Sequence, residues 1–542
     1  MKLIRLAFFV LALSTKSVVA QNGSVIPQPL NVEQVNVEFI IDSKTIIVAD
    51  DANQANAHYL QKLIESLVLS KPAIKMKGTK GIILKLDESL AETLGDEGYL
   101  LETGKNSLAI TAPTTIGIFY GIQTLRQLMN KNSGVDKRGA EWLVEGVRIE
   151  DKPRFKWRAY MLDESRYFMG EAFVKKILDQ MALLKMNVFH WHLTDDAGWR
   201  MEIKKYPLLT EIGAFRDDSE IEGWGSGKTA GEPHGGFYTQ EQMKDIVTYA
   251  AERNITVVPE FEMPGHSSAA IAAYTWLGTA GKDIDVPVKF GRHYDNYDVT
   301  KPEVFQFVKD VLGEMFEIFP SEVIHIGGDE VGYKVWEESE HVQKYMKEKG
   351  IKTPADLQIA FTNQISNFIE QQGRRMMGWN EIMGKNVHQG FEEKKDDKDA
   401  ETSLAPNVIV HFWKGDLGLA TEAAKKGYGI VNALHSNTYL DYGYKSISLE
   451  KAYAFNPIPE GLDEKFHENI YGLGCQMWTE WTPTYSDVER QTFPRIAAYA
   501  EVGWTNNTRK NYKVFRKNLN QLLNYWKGQG IGFAEKFEEK DF

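Results

Sequence analysis

Eight short apolar runs constrain this chain more than any other feature: 158–163, 187–193, 256–261, 323–326, 375–379, 408–413, 429–433 and 470–478. Short runs that are nearly continuously apolar are the pattern of strands buried on both faces of a parallel sheet. Segments with helical spacing separate them, at intervals suited to βα units. Eight such units in about 350 residues predict an α/β fold, a TIM (β/α)8 barrel over residues 151–505. An open, doubly wound sheet is the rival. No glycine-rich phosphate fingerprint follows the first run, which argues against a dinucleotide site.

The 542-residue chain is longer than one barrel needs. Residues 21–150 read as a smaller α+β domain, with strands at 45–48 and 81–86 and a helix at 53–69. Residues 98–129 read as strand, turn, strand, then a helix from about Thr115. Gly117 and Gly121 lie four apart on that helix and let another backbone approach closely. Residues 506–542 read as a C-terminal helical segment packed on the barrel. Two stretches read as surface loops: 217–239, glycine-rich with Trp224, and 391–406, highly charged. The first follows strand two and is placed to overhang the barrel mouth.

Residues 1–20 read as a secretory signal peptide: Lys2 and Arg5, then an apolar run too short to span a bilayer, then small residues before Gln21. The protein is therefore expected to be exported, periplasmic or secreted, with no integral membrane segment. Cys475 is the only cysteine, so an intramolecular disulfide is excluded and a large packed core is expected instead. Its apolar surroundings predict a small buried residue. The net charge of −12, with no basic patch, argues against a nucleic-acid partner.

In a TIM barrel the chemistry sits at the C-terminal ends of the strands. Polar residues gather there: LDESR after strand one, HWHLTDD after strand two, PEFEMPGH after three, GWNE after five, HFWKG after six and MWTEW after eight. Strand four ends HIGGDE, residues 325–330. A glycine pair there lets the backbone turn sharply before two adjacent acids, Asp329 and Glu330. Mutual repulsion is expected to keep one of them protonated, as a general acid requires. On an ideal strand these neighbours would point to opposite faces. They share a pocket only if the backbone leaves strand geometry at Gly327 and Gly328. Acids and Arg suit the hydroxyl rim of a pyranose, and the indoles Trp379, Trp413 and Trp478 suit its C–H face. Core packing is the alternative for each tryptophan.

HIGGDE resembles the H-x-G-G-D-E signature of glycoside hydrolase family 20, the β-N-acetylhexosaminidases. WRAYMLDESRYF (157–168), HWHLTDDAGWR (190–200), VPEFEMPGH (258–266), MGWNE (377–381), YLDYGY (439–444) and QMWTEW (476–481) match in the family's order. The N-terminal GYLLET and FYGIQTLRQL resemble its accessory domain. The resemblance implies an exo-acting, retaining enzyme that removes terminal β-linked N-acetylglucosamine or N-acetylgalactosamine without a protein nucleophile. It implies that Glu330 is the acid/base and that Asp329 orients the 2-acetamido group, whose oxygen attacks the anomeric carbon. Asp195 and His266 would support Glu330. Arg158 would bind the 3- and 4-hydroxyls, Glu480 and Asp441 the 4- and 6-hydroxyls, and Tyr439 the acetamide oxygen. Trp379, Trp413 and Trp478 would enclose the acetamido methyl.

Two departures stand out: Glu262 where many members have Asp, and Tyr167 where many have His. No cofactor and no metal are implied. The partner is a glycan ending in N-acetylhexosamine, and the chain is expected to be a monomer or homodimer. A metal-dependent hydrolase is one rival, since His190 and His192 share a strand face and His266 and His325 could add ligands. A catalytically silent glycan-binding homologue is the other.

Overall fold

The computed structural model describes residues 25–130, 142–291, 295–385 and 399–542. The expected signal peptide and the first half of the charged 391–406 loop lie outside them. The eight predicted runs form the closed barrel: Trp157–Asp163, Val188–His192, Thr256–Glu260, Val323–His325, Arg375–Trp379, Ile409–Phe412, Gly429–Asn432 and Ile470–Met477. All neighbours are parallel, and the eighth strand pairs with the first to close the ring. Closure leaves no edge strand, which excludes the open-sheet alternative.

The barrel interior is layered. Ala159, Val188 and Val258 form one apolar cluster near the N-terminal end, and Met377, Ile409 and Val431 another. Trp157 packs against both. Above them His190, His325 and His411, from strands two, four and six, bring ring nitrogens within 4.8 Å of one another. Alternate strands supply one layer of a TIM barrel, usually with branched apolar side chains. Here that layer is polar.

The N-terminal domain is a seven-stranded mixed sheet, in the order Asn31–Ile41, Trp142–Asp151, Tyr99–Thr103, Ser107–Ala112, Gly81–Leu86, Ile46–Val48, Ala73–Lys75. Asn31–Ile41, Trp142–Asp151 and the short Ala73–Lys75 were not anticipated from the sequence. Asn31–Ile41 is a mostly exposed edge strand in which Val35, Val37, Phe39 and Ile41 alternate with exposed residues, the pattern of a half-buried strand. The helix Thr115–Asn130 packs close enough that a Cβ on Gly117 would lie 2.3 Å from the Gly98 carbonyl oxygen, and one on Gly121 would lie 2.4 Å from Ile110.

This domain docks on the base of the barrel. Arg158, fully buried, makes a bidentate pair with Glu97 at 2.7 and 3.0 Å and donates to the Lys185 and Phe155 carbonyls. Lys185 pairs with Asp151 at 2.8 Å beside it. At the other end of the chain the helix Tyr512–Gly528 buries Phe515, Leu519, Leu522 and Trp526. The indole N–H of Trp526 donates to Gln180 on the barrel helix Glu171–Leu183. Cys475 is buried in strand eight. No helix among the described residues is long and apolar enough to cross a membrane.

Candidate active site

Strand four is only three residues long, and the turn after it sets the site. Gly327 and Gly328 have φ of 65° and 93°, and Glu330, a residue with a side chain, has φ 50°. This left-handed backbone cancels the alternation of a strand. Asp329 and Glu330 consequently both reach His266: its Nε2 lies 3.8 Å from Asp329 Oδ2 and 3.7 Å from Glu330 Oε2. Only glycine fits at 327, because a Cβ there would lie 1.8 Å from Glu262 Oε2.

Behind the pair runs a buried chain of carboxylates and histidines. His266 Nδ1 lies 3.2 Å from Asp195 Oδ1 and 3.1 Å from Asp196 Oδ2. Asp195 Oδ2 lies 3.1 Å from His192 Nε2, and the other nitrogen of His192 lies 2.6 Å from Glu260 Oε2. Glu260 also takes the Trp379 indole N–H at 2.8 Å and lies 3.0 Å from His325. His325 continues to His411 at 3.2 Å. His190 sits 2.9 Å from Glu260, though neither of its nitrogens makes a well-aligned hydrogen bond.

These contacts fix the charge states. Burial works against protonation of His192, but the Glu260 charge and bonds to both carboxylates outweigh it and push its pKa up to about 10. His266 is likewise held well above the usual histidine range: burial opposes this, and Asp195 overcomes it. Burial would raise Asp195, yet Arg166 and His266 hold it well below the ordinary carboxylate value. Asp329 is raised, by burial first and by Glu330 also, with His266 opposing. Of the four histidines of the metal-dependent alternative, His192, His266 and His325 face carboxylates, while His190 lies beside Glu260 with neither nitrogen hydrogen-bonded.

One site assignment is corrected. Arg158 is the second residue of strand one, and its guanidinium lies at the base under the N-terminal domain, at the opposite end of the barrel from Asp329. The arginine at the mouth is Arg166, the last residue of LDESR. Its Nη2 lies 2.7 Å from Asp195 and 3.8 Å from Glu480, and its guanidinium sits 5.0 Å from the Trp478 ring. The strand-end rule already pointed to Arg166, since position 158 lies at the wrong end of the same strand.

The other predicted residues meet on one wall. Trp379, Tyr439 and Trp478 form a buried cluster with Met161, and Trp413 packs against it. Trp413 stacks on Tyr439, with centroids 6.0 Å apart and planes 10° apart. Trp379 stacks on His411 at 4.2 Å. Asp441 is pushed well above the usual carboxylate range by burial and by Glu480 nearby. Glu381, the acid of GWNE, was not singled out from the sequence. It accepts the Trp413 indole N–H at 2.8 Å and thereby fixes that ring. The pairing of His192, named above only as a possible metal ligand, with Glu260 was not foreseen, because a strand of alternating histidines gives no hint of which carboxylate it will face. Glu262 packs against the Gly327 backbone and accepts from Gly328 N–H at 3.3 Å. Tyr167 lies 4.9 Å from His234 and 5.9 Å from Phe290, ring to ring.

Three buried polar atoms on this wall have no hydrogen-bond partner: Asp329 Oδ1, Asp441 Oδ1 and the Trp478 indole nitrogen. Facing the pocket, these atoms are available to hydrogen-bond a polar ligand.

Residues 155–507 match the catalytic domain of glycosyl hydrolase family 20, and residues 22–152 match domain 2 of that family. A beta-hexosaminidase of Porphyromonas gingivalis is 34% identical over 528 residues, covering 94% of this chain and 64% of that protein. A beta-N-acetylhexosaminidase of Cellulomonas fimi is 29% identical over 94% of this chain and 95% of its own length. Among solved structures, the beta-N-acetylhexosaminidase of Bacteroides fragilis superposes with a TM-score of 0.80 at 30% identity, over 95% of this chain and 98% of that one. An exo beta-N-acetylglucosaminidase of Vibrio harveyi, in complex with N-acetylglucosamine, gives 0.81 at 28%, over 94% and 78%. With both domains matched in order and the acids of the family signature gathered in one pocket, the chain belongs to glycosyl hydrolase family 20.

Proposed function

We propose that this pocket removes a terminal β-linked N-acetylglucosamine or N-acetylgalactosamine from a glycan, with retention of configuration and with the substrate's own acetamide as nucleophile. The observation that carries the reading is the left-handed turn that aims both adjacent acids, Asp329 and Glu330, at one pocket with an aromatic wall. Glu330 gives its proton to the glycosidic oxygen and later activates water. Asp329 holds the acetamide N–H, so that the carbonyl oxygen attacks the anomeric carbon, and then balances the cationic oxazolinium that forms. Pre-placing the acetamide supplies the intramolecular advantage. His266, protonated between four carboxylates, keeps both acids in place. Trp379, Trp413, Tyr439 and Trp478 receive the acetamido group. An acetyl methyl buried there gains about 0.8 kcal/mol. Arg166, Glu480 and Asp441 take the hydroxyl rim.

Two variants test the division of labour. Glu330→Gln should lower kcat/KM by about 10²–10⁴-fold on glycans while sparing much of the rate on activated aryl glycosides. Asp329→Asn should slow both classes, by about 10²-fold. Equal losses for Glu330→Gln on the two classes, or an unchanged aryl rate for Asp329→Asn, would reverse these roles. The basic and apolar character of residues 1–20 supports export to the periplasm or beyond. A mature N terminus other than Gln21 would count against it.

A further inference from the structure

Strand eight is followed by two helices, Tyr485–Thr492 and Arg495–Trp504, and the corner between them grips the loop after strand seven. Arg495, the first residue of the second helix, is fully buried. A buried cation is ordinarily paired with a carboxylate. Every hydrogen bond that Arg495 donates among the described residues ends instead on a carbonyl oxygen. Its Nη2 reaches the Leu440 carbonyl at 2.6 Å, and its Nη1 reaches those of Tyr442 at 2.7 Å and Ile447 at 3.2 Å. Gln491, on the first helix, fills the gap. Its Nε2 donates to the Asp441 carbonyl at 3.0 Å, and its Oε1 accepts from Arg495 Nη2 at 3.0 Å. One two-residue unit thus holds three consecutive carbonyls, those of Leu440, Asp441 and Tyr442. The Tyr444 ring lies 4.0 Å from the guanidinium. From strand eight, the Gln476 carbonyl takes the Leu440 N–H at 2.7 Å.

The backbone held in this way is the one that carries Asp441 into the pocket. Asp441 Oδ1 is buried without a hydrogen-bond partner, so the backbone on either side sets where the carboxyl group points. A planar fork with several donors can hold two carbonyls at once, which a single ammonium cannot reproduce. We propose that Arg495 and Gln491 are positioning residues for substrate recognition, aiming Asp441 at the hydroxyl rim of the terminal sugar. This rests on the hexosaminidase reading above and adds to it two residues behind the pocket wall. A shift of the loop by a fraction of an ångström would weaken that contact without touching the catalytic turn after strand four.

The test is a double-mutant cycle on an aryl N-acetyl-β-glucosaminide. Gln491→Met keeps the volume of the side chain and removes its amide. It should raise KM about three- to tenfold and leave kcat within about twofold. In the Asp441→Ala background the same substitution should change KM by less than about twofold, because the group it aims is gone. Arg495→Lys, which keeps the charge and loses the fork, should show the same pattern more strongly. If that variant does not fold, Gln491→Met decides alone. A penalty that persists in full without Asp441 shows general packing and overturns the proposal, as does an unchanged KM for Gln491→Met, while the wild-type enzyme still turns over. A wild type that does not cleave the aryl glycoside overturns the hexosaminidase reading, and this proposal with it.

Discussion

Arg158 and Arg166 carry the same side chain to opposite ends of one strand, and their surroundings decide what each does. Arg166 faces Asp195, Glu480 and the Trp478 ring at the mouth. Arg158 is locked to Glu97 and two backbone carbonyls at the base. Arg166→Lys keeps the charge but loses the planar fork. It should raise KM, with a loss of about 1.5–3 kcal/mol in kcat/KM from hydrogen bonds to charged partners. Arg158→Met should leave KM unchanged and cost about 3–5 kcal/mol of stability, because it breaks a buried ion pair. Kinetics and chemical denaturation on the two variants check the contrast. A KM defect in Arg158→Met would restore that residue to the site.

At the scale of the element, the turn after strand four is where the fold makes the chemistry. Its glycines were legible in the sequence, and so was the need for them, since adjacent acids cannot otherwise face one pocket. What they pack against was not legible. Gly327 lies under the Glu262 carboxylate, so a methyl at 327 collides with it. Gly327→Ala should therefore destabilise by about 1–3 kcal/mol and lower activity sharply. Shortening the facing acid, Glu262→Asp, withdraws the carboxylate by one methylene. In the double variant part of the loss should return, as a coupling measured by a double-mutant cycle. Strict additivity would show that the collision is not the cause. The helix–sheet contact in the N-terminal domain divides in the same way. The spacing of Gly117 and Gly121 announced a close approach, and only the folded sheet identified Gly98 and Ile110 as the neighbours.

Across the whole molecule, the buried network from His411 through His325, Glu260, His192 and Asp195 to His266 joins barrel strands two, three, four and six to the catalytic turn. Its stability has a definite sign with pH. His192 and His266 have folded-state pKa values raised above the unfolded value of about 6.5. Their contribution is fully present below pH about 6.5 and is lost as pH rises toward 10, the folded-state value of His192. Asp195 is depressed, so its contribution is present above its unfolded value of about 3.9 and is lost as pH falls below that. Unfolding free energy should decline between pH 6.5 and 10, and His192→Gln should flatten that decline whatever its effect on absolute stability. An unchanged slope in the variant would show that His192 is not the titrating group.

The sequence by itself determined the barrel, because eight apolar runs at βα spacing have few other ways to bury both faces. It also determined which acids and indoles would lie at strand ends, since strand direction follows from chain order. Only the tertiary structure decided which groups meet across the barrel. Glu260 faces His192, Glu381 holds Trp413, and the guanidinium at the mouth is Arg166. Those pairings join strands far apart in the chain, through distances and angles that closure of the barrel sets, and no local periodicity encodes them.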